Sequence, residues 1–411
     1  MQPDKPTTPV VLPPPPQPQT PPPVAPVPPV TPPPVQPVPT LVPTPAVAPV
    51  TAPPTVPKPD LFAAPTSTAT QNELDKIRAK LAGANLPKDL LEKAQAQIER
   101  IQLTLKYGGN FAQFDITDKY IDWITHIPWN TATTDTLDIK HAKQILDRDH
   151  FGLEKIKSRV LEYLSVLIMQ RKQGSEFVHR APILFFVGLA GTGKTTFAIS
   201  LAEALGKKFV RIPFGGLSSA LDLRGQSKTS PEAVPGLIMR GLRDVGANNP
   251  VILLDELDRI TPEARGAIMG VLIELLDPGQ NKHFTDYFID YPFDLSNVIF
   301  VATANNTAAI STAVMDRLEV IQMPSYTDAE KIHIAKEYIL PRMLRESGLK
   351  PEAVKFDEAI WPKITRPLGF DSGIRTLERT VDGIIRRAAY RIVNGEAQSF
   401  FINESNLREF M

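Results

Sequence analysis

No cysteine occurs in the 411 residues, which excludes disulfides and thiol catalysis and fits a reducing, cytoplasmic setting. Histidine is scarce: the six present show no metal-ligand spacing. Net charge is absent as well, since 45 basic residues balance 45 acidic ones. No global field therefore favours a nucleic acid or an acidic membrane surface. A nucleic-acid motor is further disfavoured by the lack of a basic helix or an aromatic stacking platform. No apolar run is long enough to span a bilayer, so no membrane partner is expected. A basic stretch leading into an apolar one, the mark of a secretory leader, is also missing at the N-terminus.

Proline is abundant, and most of the 42 prolines lie before Thr66. Proline lacks an N–H and fixes φ, so residues 1–66 are expected to be a disordered tail that samples polyproline II. P-x-x-P recurs there. The tail is either a docking segment for proline-recognition domains or a spacer.

The remainder, roughly 340 residues, is long enough for two or three small domains. A helical arm is expected over 67–145. Thr70-Gln71-Asn72-Glu73 reads as a capping box ahead of Leu74, Ile77 and Leu81. A second helix opens near Pro87, with Leu91, Ala94, Ile98, Ile101 and Leu105 on one stripe. Gly108-Gly109 separates it from a third, Lys119 to Ile127, and Asp138 to Leu146 begins another. A long amphipathic helix follows, Lys155 to about Gln170.

Residues 146–324 read as an α/β nucleotide-binding domain. Expected strands are Ile183–Val187, Phe209–Ile212, Val251–Leu254, Val298–Ala302 and Val320–Met323, with helical patterns between them. That alternation implies a parallel sheet flanked by helices. Residues 325–411 read as a small all-helical domain: Asp328–Ser347, Glu352–Thr365 and Ile374–Asn394, with a short extended piece at Ser399–Ile402.

The first strand runs into Gly188-Leu189-Ala190-Gly191-Thr192-Gly193-Lys194-Thr195-Thr196, which fits G-x-x-x-x-G-K-[ST]. Glycines let backbone N–H groups close around phosphate oxygens, and the following helix points its positive end at the same charge. Lys194 is placed to reach the outer phosphates, and the Thr195 hydroxyl to hold Mg²⁺. About sixty residues on, the strand Val251–Leu254 ends in Asp255-Glu256. Asp255 can hold the metal's water shell beside Thr195, and Glu256 can polarise an attacking water. Three residues stay open on spacing alone. Asn305 is either a water-orienting amide or a turn former. Arg317 is either exposed toward a neighbouring subunit or paired on the surface with Asp316 or Glu319. Arg375 either reaches the phosphates or is a helix-surface cation.

The chain resembles the ATPase portion of the Lon family of AAA+ proteases, from about Glu73 to Phe410. The most specific pieces are Ile127-Pro128-Trp129-Asn130, His150-Phe151-Gly152-Leu153 with its flanks, Pro250 to Asp258, Leu276-Asp277-Pro278, Phe300 to Asn305, Asp316-Arg317 and Gly373 to Arg379. The resemblance implies an AAA+ core with a small helical lid, ATP and Mg²⁺ as cofactors, and a homo-oligomeric, hexameric ring acting on protein substrates. It implies sensor 1 for Asn305, the arginine finger for Arg317, sensor 2 for Arg375, and an adenine border for His150, Phe151 and Gly152.

Three departures accompany it. The proline-rich tail stands where the family has a globular substrate-recognition domain. The chain ends where the protease domain should begin, so the family's Ser–Lys dyad is not expected here. The pore loop's aromatic–aliphatic pair falls on Ser230-Pro231, which offers little apolar area to grip a substrate. The expectation is an ATP hydrolase that remodels or scaffolds protein partners. The alternatives are a truncated or split ATP-dependent protease of protein quality control, and a regulatory subunit that co-assembles with a full-length Lon.

Overall fold

The computed structural model describes residues 67–106, 112–172, 182–230, 232–366 and 373–411. The expectations for the proline-rich tail, for Gly108-Gly109 and for Pro231 lie outside the described residues.

The described chain opens with α1 (Ser67–Ala82), α2 (Lys88–Lys106) and α3 (Ala112–His126). Leu74, Ile77 and Leu81 of α1 join Leu90, Ala94, Ile98 and Ile101 of α2 and Ile121 and Ile124 of α3 in one core. Leu90 is fully buried in this core, and Leu91 is partly buried against it. Thr70 lies inside α1, because no proline or glycine stands between Ser67 and Thr70 to delay the helix. α3 starts seven residues before the expected Lys119. Its first turns mix polar residues with Phe114 and Ile116; Phe114 packs on the core, and Thr117 is buried and accepts from Gln97 Nε2 at 3.3 Å. α4 (Ile139–Asp149), capped by Asp138, and α5 (Glu154–Lys172) complete the approach to the sheet.

Next come β1 (Ile183–Val187), α6 (Lys194–Ala204), β2 (Phe209–Pro213), α7 (Leu221–Arg224), α8 (Leu237–Val245), β3 (Val251–Asp255) and α9 (Pro262–Leu276). A small antiparallel pair, β4 (Phe284–Thr285) and β5 (Pro292–Phe293), precedes β6 (Ile299–Ala304), α10 (Thr312–Met315) and β7 (Leu318–Gln322). The main sheet has five parallel strands in the order β2-β3-β6-β1-β7. All five residues of β3 and all six of β6 are buried. This is why both read as continuous apolar runs rather than alternating ones. One sheet face packs on a cluster that includes Phe185, Ile252 and Leu254, the other on one with Leu184, Phe186 and Leu253, as strand alternation requires.

The last domain is helical, with two differences from expectation. The stretch expected as one helix from Asp328 divides into α11 (Asp328–Ile334), a π turn over Ala335–Ile339, and α12 (Leu340–Glu346). Pro341 has no N–H to give the preceding turn, and the wider turn accommodates that loss. The expected helix Glu352–Thr365 is instead β8 (Val354–Phe356), one 3₁₀ turn, and α13 (Trp361–Thr365). β8 pairs in parallel with β9 (Phe400–Ile402), which follows α14 (Arg375–Val393) and precedes α15 (Leu407–Phe410). Val354 and Phe356 alternate with Lys355, a strand period that a helical reading of the window overlooked.

The loop between α7 and α8 is pinned from outside. Asp286 accepts the N–H groups of Gly236 at 2.7 Å, Phe288 at 2.8 Å and Ile289 at 3.1 Å. Burial pushes its carboxyl up to about 6, against the pull of those donors. A Cβ on Gly236 would lie 2.0 Å from the Leu223 carbonyl oxygen, a backbone atom with no rotamer to escape into. Gly236→Ala is expected to cost at least ~2 kcal/mol, as overpacking against backbone does. A urea midpoint equal to that of the unaltered protein would show that the loop is not held this tightly.

Candidate nucleotide site

Parallel strands end at one edge of their sheet, and ligands of such sheets bind at that edge. β1, β3 and β6 lie side by side, so Gly188–Gly193, Asp255-Glu256 and Asn305 leave the sheet together. Gly193 takes φ 93° and caps α6 without any side-chain hydrogen bond to the helix N-terminus. The first N–H groups of α6 thus keep donor capacity for an anion. Gly188 passes tightly by the end of β7: a Cβ there would lie 2.6 Å from the Met323 carbonyl oxygen.

Lys194 is only 8 % exposed. Its Nζ donates to the carbonyl oxygens of Gly188 at 2.6 Å and Leu189 at 2.9 Å, and to Asn305 Oδ1 at 3.1 Å. Burial, and then the nearby Arg375 cation, hold the Lys194 ammonium below its ordinary pKa. The Thr192 hydroxyl donates to Leu189 O at 2.9 Å, and the Thr196 hydroxyl to Gly193 O at 2.7 Å, so both fix the loop rather than project from it.

Asp255 is the most connected group in the site. Its Oδ1 lies 3.4 Å from the Thr195 hydroxyl and also accepts from the Thr303 hydroxyl of β6. Its Oδ2 accepts Nε and Nη2 of Arg211, both at 2.7 Å, from the edge strand β2. The Thr303 hydroxyl in turn accepts the Glu256 N–H at 3.0 Å. Glu256 sits at φ 60°, a left-handed conformation that costs a non-glycine residue ~1–3 kcal/mol. Its Oε2 lies 3.2 Å from Arg259 Nη1. The N–H of Asn305 is fixed by Asp258 Oδ1 at 3.0 Å, which turns the Asn305 amide back toward Lys194.

The helical domain reaches the same loop from above. Ile374 N–H donates to Gly191 O at 3.2 Å, and Arg375 Cγ would lie 3.2 Å from a Cβ on Gly191. Tyr326 donates its hydroxyl to Thr192 O at 3.3 Å. His150, Phe151 and Gly152 run between α6 and α11. Phe151 lies 3.9 Å, centroid to centroid, from His333 of α11. His150 stacks on Phe197 of α6 at 3.6 Å and shares a hydrogen bond of 3.0 Å with Ser200 Oγ. Its ring faces are therefore engaged with the protein core. Burial lowers its pKa to about 4.

Arg317 stands apart. Ile183 N–H donates to its carbonyl at 3.2 Å, at the start of β1, whereas the glycine loop follows the end of β1. Five residues of strand separate them, about 16 Å at ~3.3 Å per residue. The guanidinium pairs with Asp277 at 3.0 Å and with Ala313 O at 2.7 Å, not with Asp316 or Glu319. Arg317, then the Gly279 N–H, hold the Asp277 carboxyl below its usual range.

Arg211, Thr303, Tyr326 and Ser200 escaped the sequence reading. Arg211 and Thr303 carried a signal, each being a polar residue inside an apolar strand. Tyr326 and Ser200 carried none beyond their position in the fold.

The donor set fits Mg-nucleotide. An uncapped helix N-terminus and a buried ammonium suit phosphates. Thr195 and Asp255 are hard oxygen donors, and no group of three or more His, Asp or Glu placed to hold a metal ion occurs among the described residues. Two such donors suit Mg²⁺, which keeps several waters and shares phosphate oxygens.

The strand order, the glycine loop after β1, the Asp-Glu pair after β3 and the helical domain closing on the loop define an AAA+ nucleotide-binding fold. The family model for ATPases associated with various cellular activities matches residues 184–326, and the Lon protease AAA+ ATPase lid domain matches residues 345–400. Lon protease 2 of Thermus thermophilus is 42 % identical over 347 residues, covering 83 % of this chain and 43 % of that protein. The Lon protease of Dictyoglomus thermophilum is 44 % identical over 323 residues, covering 79 % and 40 %. That of Heliobacterium modesticaldum is 40 % identical over 341 residues, covering 83 % and 41 %. The chain belongs to the Lon family, of which it carries the AAA+ portion; it spans 40–43 % of the length of these relatives.

Buried, neutral His150 makes the fold acid-sensitive. Its folded pKa of about 4 lies below the ordinary 6.5, so the unfolded chain binds the extra proton in between. This contribution is fully present above pH 6.5 and is lost as pH falls toward 4. The loss approaches ~3 kcal/mol for a shift of this size. Urea midpoints of the protein should fall over that range, and those of His150→Gln should fall much less. Equal slopes would remove His150 as the cause.

Proposed function

We propose that the chain hydrolyses Mg-ATP at the site between its α/β domain and its lid, in a ring of identical subunits. The observation that carries this reading is the convergence of Lys194, Asn305, Thr195 and Asp255 at one sheet edge. Mg²⁺, when bound, supplies charge neutralisation for the β- and γ-phosphates. Lys194 leaves its loop carbonyls for phosphate oxygens. Thr195 and Asp255 hold the metal's shell, with Arg211 and Thr303 keeping the Asp255 carboxylate in place. Glu256 takes a proton from the attacking water, and the Asn305 amide orients that water. Arg375 meets the phosphates from the lid. The backbone and flanks of His150, Phe151 and Gly152 border the base. The assigned domains are the tail 1–66, the arm 67–145, the α/β domain 146–324 and the lid 325–411.

Arg317 supports the ring. It lies at the opposite end of β1 from its own glycine loop, so any phosphate it meets belongs to a neighbour. In that role the guanidinium exchanges Asp277 for transition-state charge, an effect worth roughly a thousandfold or more.

The output we assign is nucleotide-driven remodelling or scaffolding of protein partners, with weak threading through the ring. Ser230, beside Glu232, presents little apolar area, and Lys228 of the same loop is engaged by Asp290 at 3.3 Å and by the Tyr120 ring at 4.4 Å.

Glu256→Gln should retain ATP while turnover falls by at least ~10², the scale of a lost general base. Turnover that survives the change would remove Glu256 from that role. Lys194→Ala and Arg317→Ala should each be inactive alone. Mixed together, they should recover activity at roughly a quarter of sites, where an intact loop meets an intact arginine. No recovery in co-assembled material would refute supply of Arg317 in trans.

A further inference from the structure

β2 lies on one side of β3, and β6, then β1, on the other. Asn305 and Lys194 follow strands of the second flank. The Glu256 carboxylate lies against the first. A Cβ added to Gly215, just beyond the end of β2, would stand 3.3 Å from Glu256 Oε2 and 3.7 Å from Arg259 Cβ. β2 and β6 are two strand spacings apart, about 10 Å at ~4.8 Å each. A general base works within ~3 Å of the water it deprotonates. The carboxylate is thus on the wrong flank to share a water with the Asn305 amide.

Arg259 holds it there. Its Nη1 lies 3.2 Å from Glu256 Oε2, and its N–H donates to the Glu256 carbonyl at 2.9 Å, across a single 3₁₀ turn. No other ion pair reaches Glu256 among the described residues. Two other cations near the site are occupied elsewhere. Arg211 is bound to Asp255, and the Lys194 ammonium, which feels the Glu256 charge, directs its three N–H groups at Gly188, Leu189 and Asn305. The Arg259 turn is itself anchored to the segment after β2. Arg259 O accepts the Gly216 N–H at 3.5 Å, and the Thr261 hydroxyl donates to Leu217 O at 3.2 Å. A carboxylate paired with a guanidinium is also a poorer proton acceptor than a free one.

We propose that Arg259 is a positioning residue that holds the lytic base withdrawn in the nucleotide-free chain. Hydrolysis then requires the Glu256 side chain to leave Arg259 and cross to the Asn305 flank, so the pair limits the basal rate. This role rests on the function proposed above, in which Glu256 takes the proton of the attacking water. Arg259 stands on the β2 flank, away from the glycine loop, so it acts on turnover and not on ATP affinity.

Arg259→Met keeps the aliphatic stem and removes the charge. In the full chain it should raise kcat ~2- to 5-fold, the scale of one partly exposed ion pair. The calorimetric Kd for a Mg-bound, non-hydrolysable ATP analogue should stay within ~2-fold. Arg259→Lys keeps the charge and should return kcat most of the way to that of the unaltered chain. In a Glu256→Gln background, Arg259→Met should change nothing, because its effect passes through that carboxylate. Without nucleotide, the losses in urea midpoint from Glu256→Gln and Arg259→Met should not add, since either change removes the same pair. The Arg259 side chain is half exposed, so both of its variants are expected to fold. An unchanged or lowered kcat overturns the role, as does an Arg259→Lys chain that matches Arg259→Met, a several-fold shift in analogue affinity, or additive midpoints. If the unaltered chain hydrolyses no ATP, the function proposed above fails and this role fails with it. Hydrolysis that is indifferent to Arg259→Met removes the role alone.

Discussion

A buried carboxylate has to be compensated, and the compensation of Asp255 ties the nucleotide domain together. Asp255 ends β3, takes Arg211 from β2 and Thr303 from β6, and stands 3.4 Å from Thr195 at the start of α6. Four elements distant in sequence are thereby fixed at one edge of the sheet. Uncompensated, an ionised carboxylate at this depth would cost several kcal/mol and would protonate or drag the strand end outward. With both oxygens occupied, it keeps one orientation relative to the glycine loop. The same hydroxyl that satisfies Asp255 also holds the N–H of Glu256, so the left-handed backbone at Glu256 is stabilised by the group that orients its neighbour.

What could be read from the residue order follows from the range of each interaction. β1 was placed at its observed bounds, Ile183–Val187, because strands buried on both faces are short apolar runs and glycine stops them. The glycine loop, Lys194, Thr195 and the Asp255-Glu256 pair are local patterns, and they were legible as such. Arg211 was not, since its partner is forty-four residues away and only the β2–β3 register brings them together. Thr303 is a polar residue inside an apolar strand, but nothing local shows that its hydroxyl bridges two strands. The lid misled for a related reason. Val354–Phe356 is a strand only because Phe400–Ile402 lies beside it, and a three-residue strand leaves too short a period to outweigh the helical segments on either side.

Two ends of one sheet divide the labour that the proposed reaction needs. Lys194, Thr195, Asp255, Glu256 and Asn305 sit where the strands finish. Arg317 sits where they start, paired with Asp277. A rigid sheet with a buried centre cannot fold back to bring those edges together. The separation within one chain is thus itself an argument for a neighbour, independent of any resemblance. In the proposed ring, a perturbation of the strand-start edge would reach an adjacent subunit's nucleotide through Arg317.

Among the described residues the lid meets the nucleotide domain through Ile374 on Gly191, Tyr326 on Thr192, and Phe151 packed on His333. Its own core is a separate apolar cluster around Trp361, Leu377, Ile384 and Phe410. A body with its own core moves as a unit when its seam with a neighbour changes. Arg375 and Lys194 lie on opposite sides of the seam; burial first, and then repulsion from Arg375, lower the Lys194 pKa. In the proposed reaction, an anion between them would turn that repulsion into attraction from both sides, and the lid would follow the arrival and departure of phosphate.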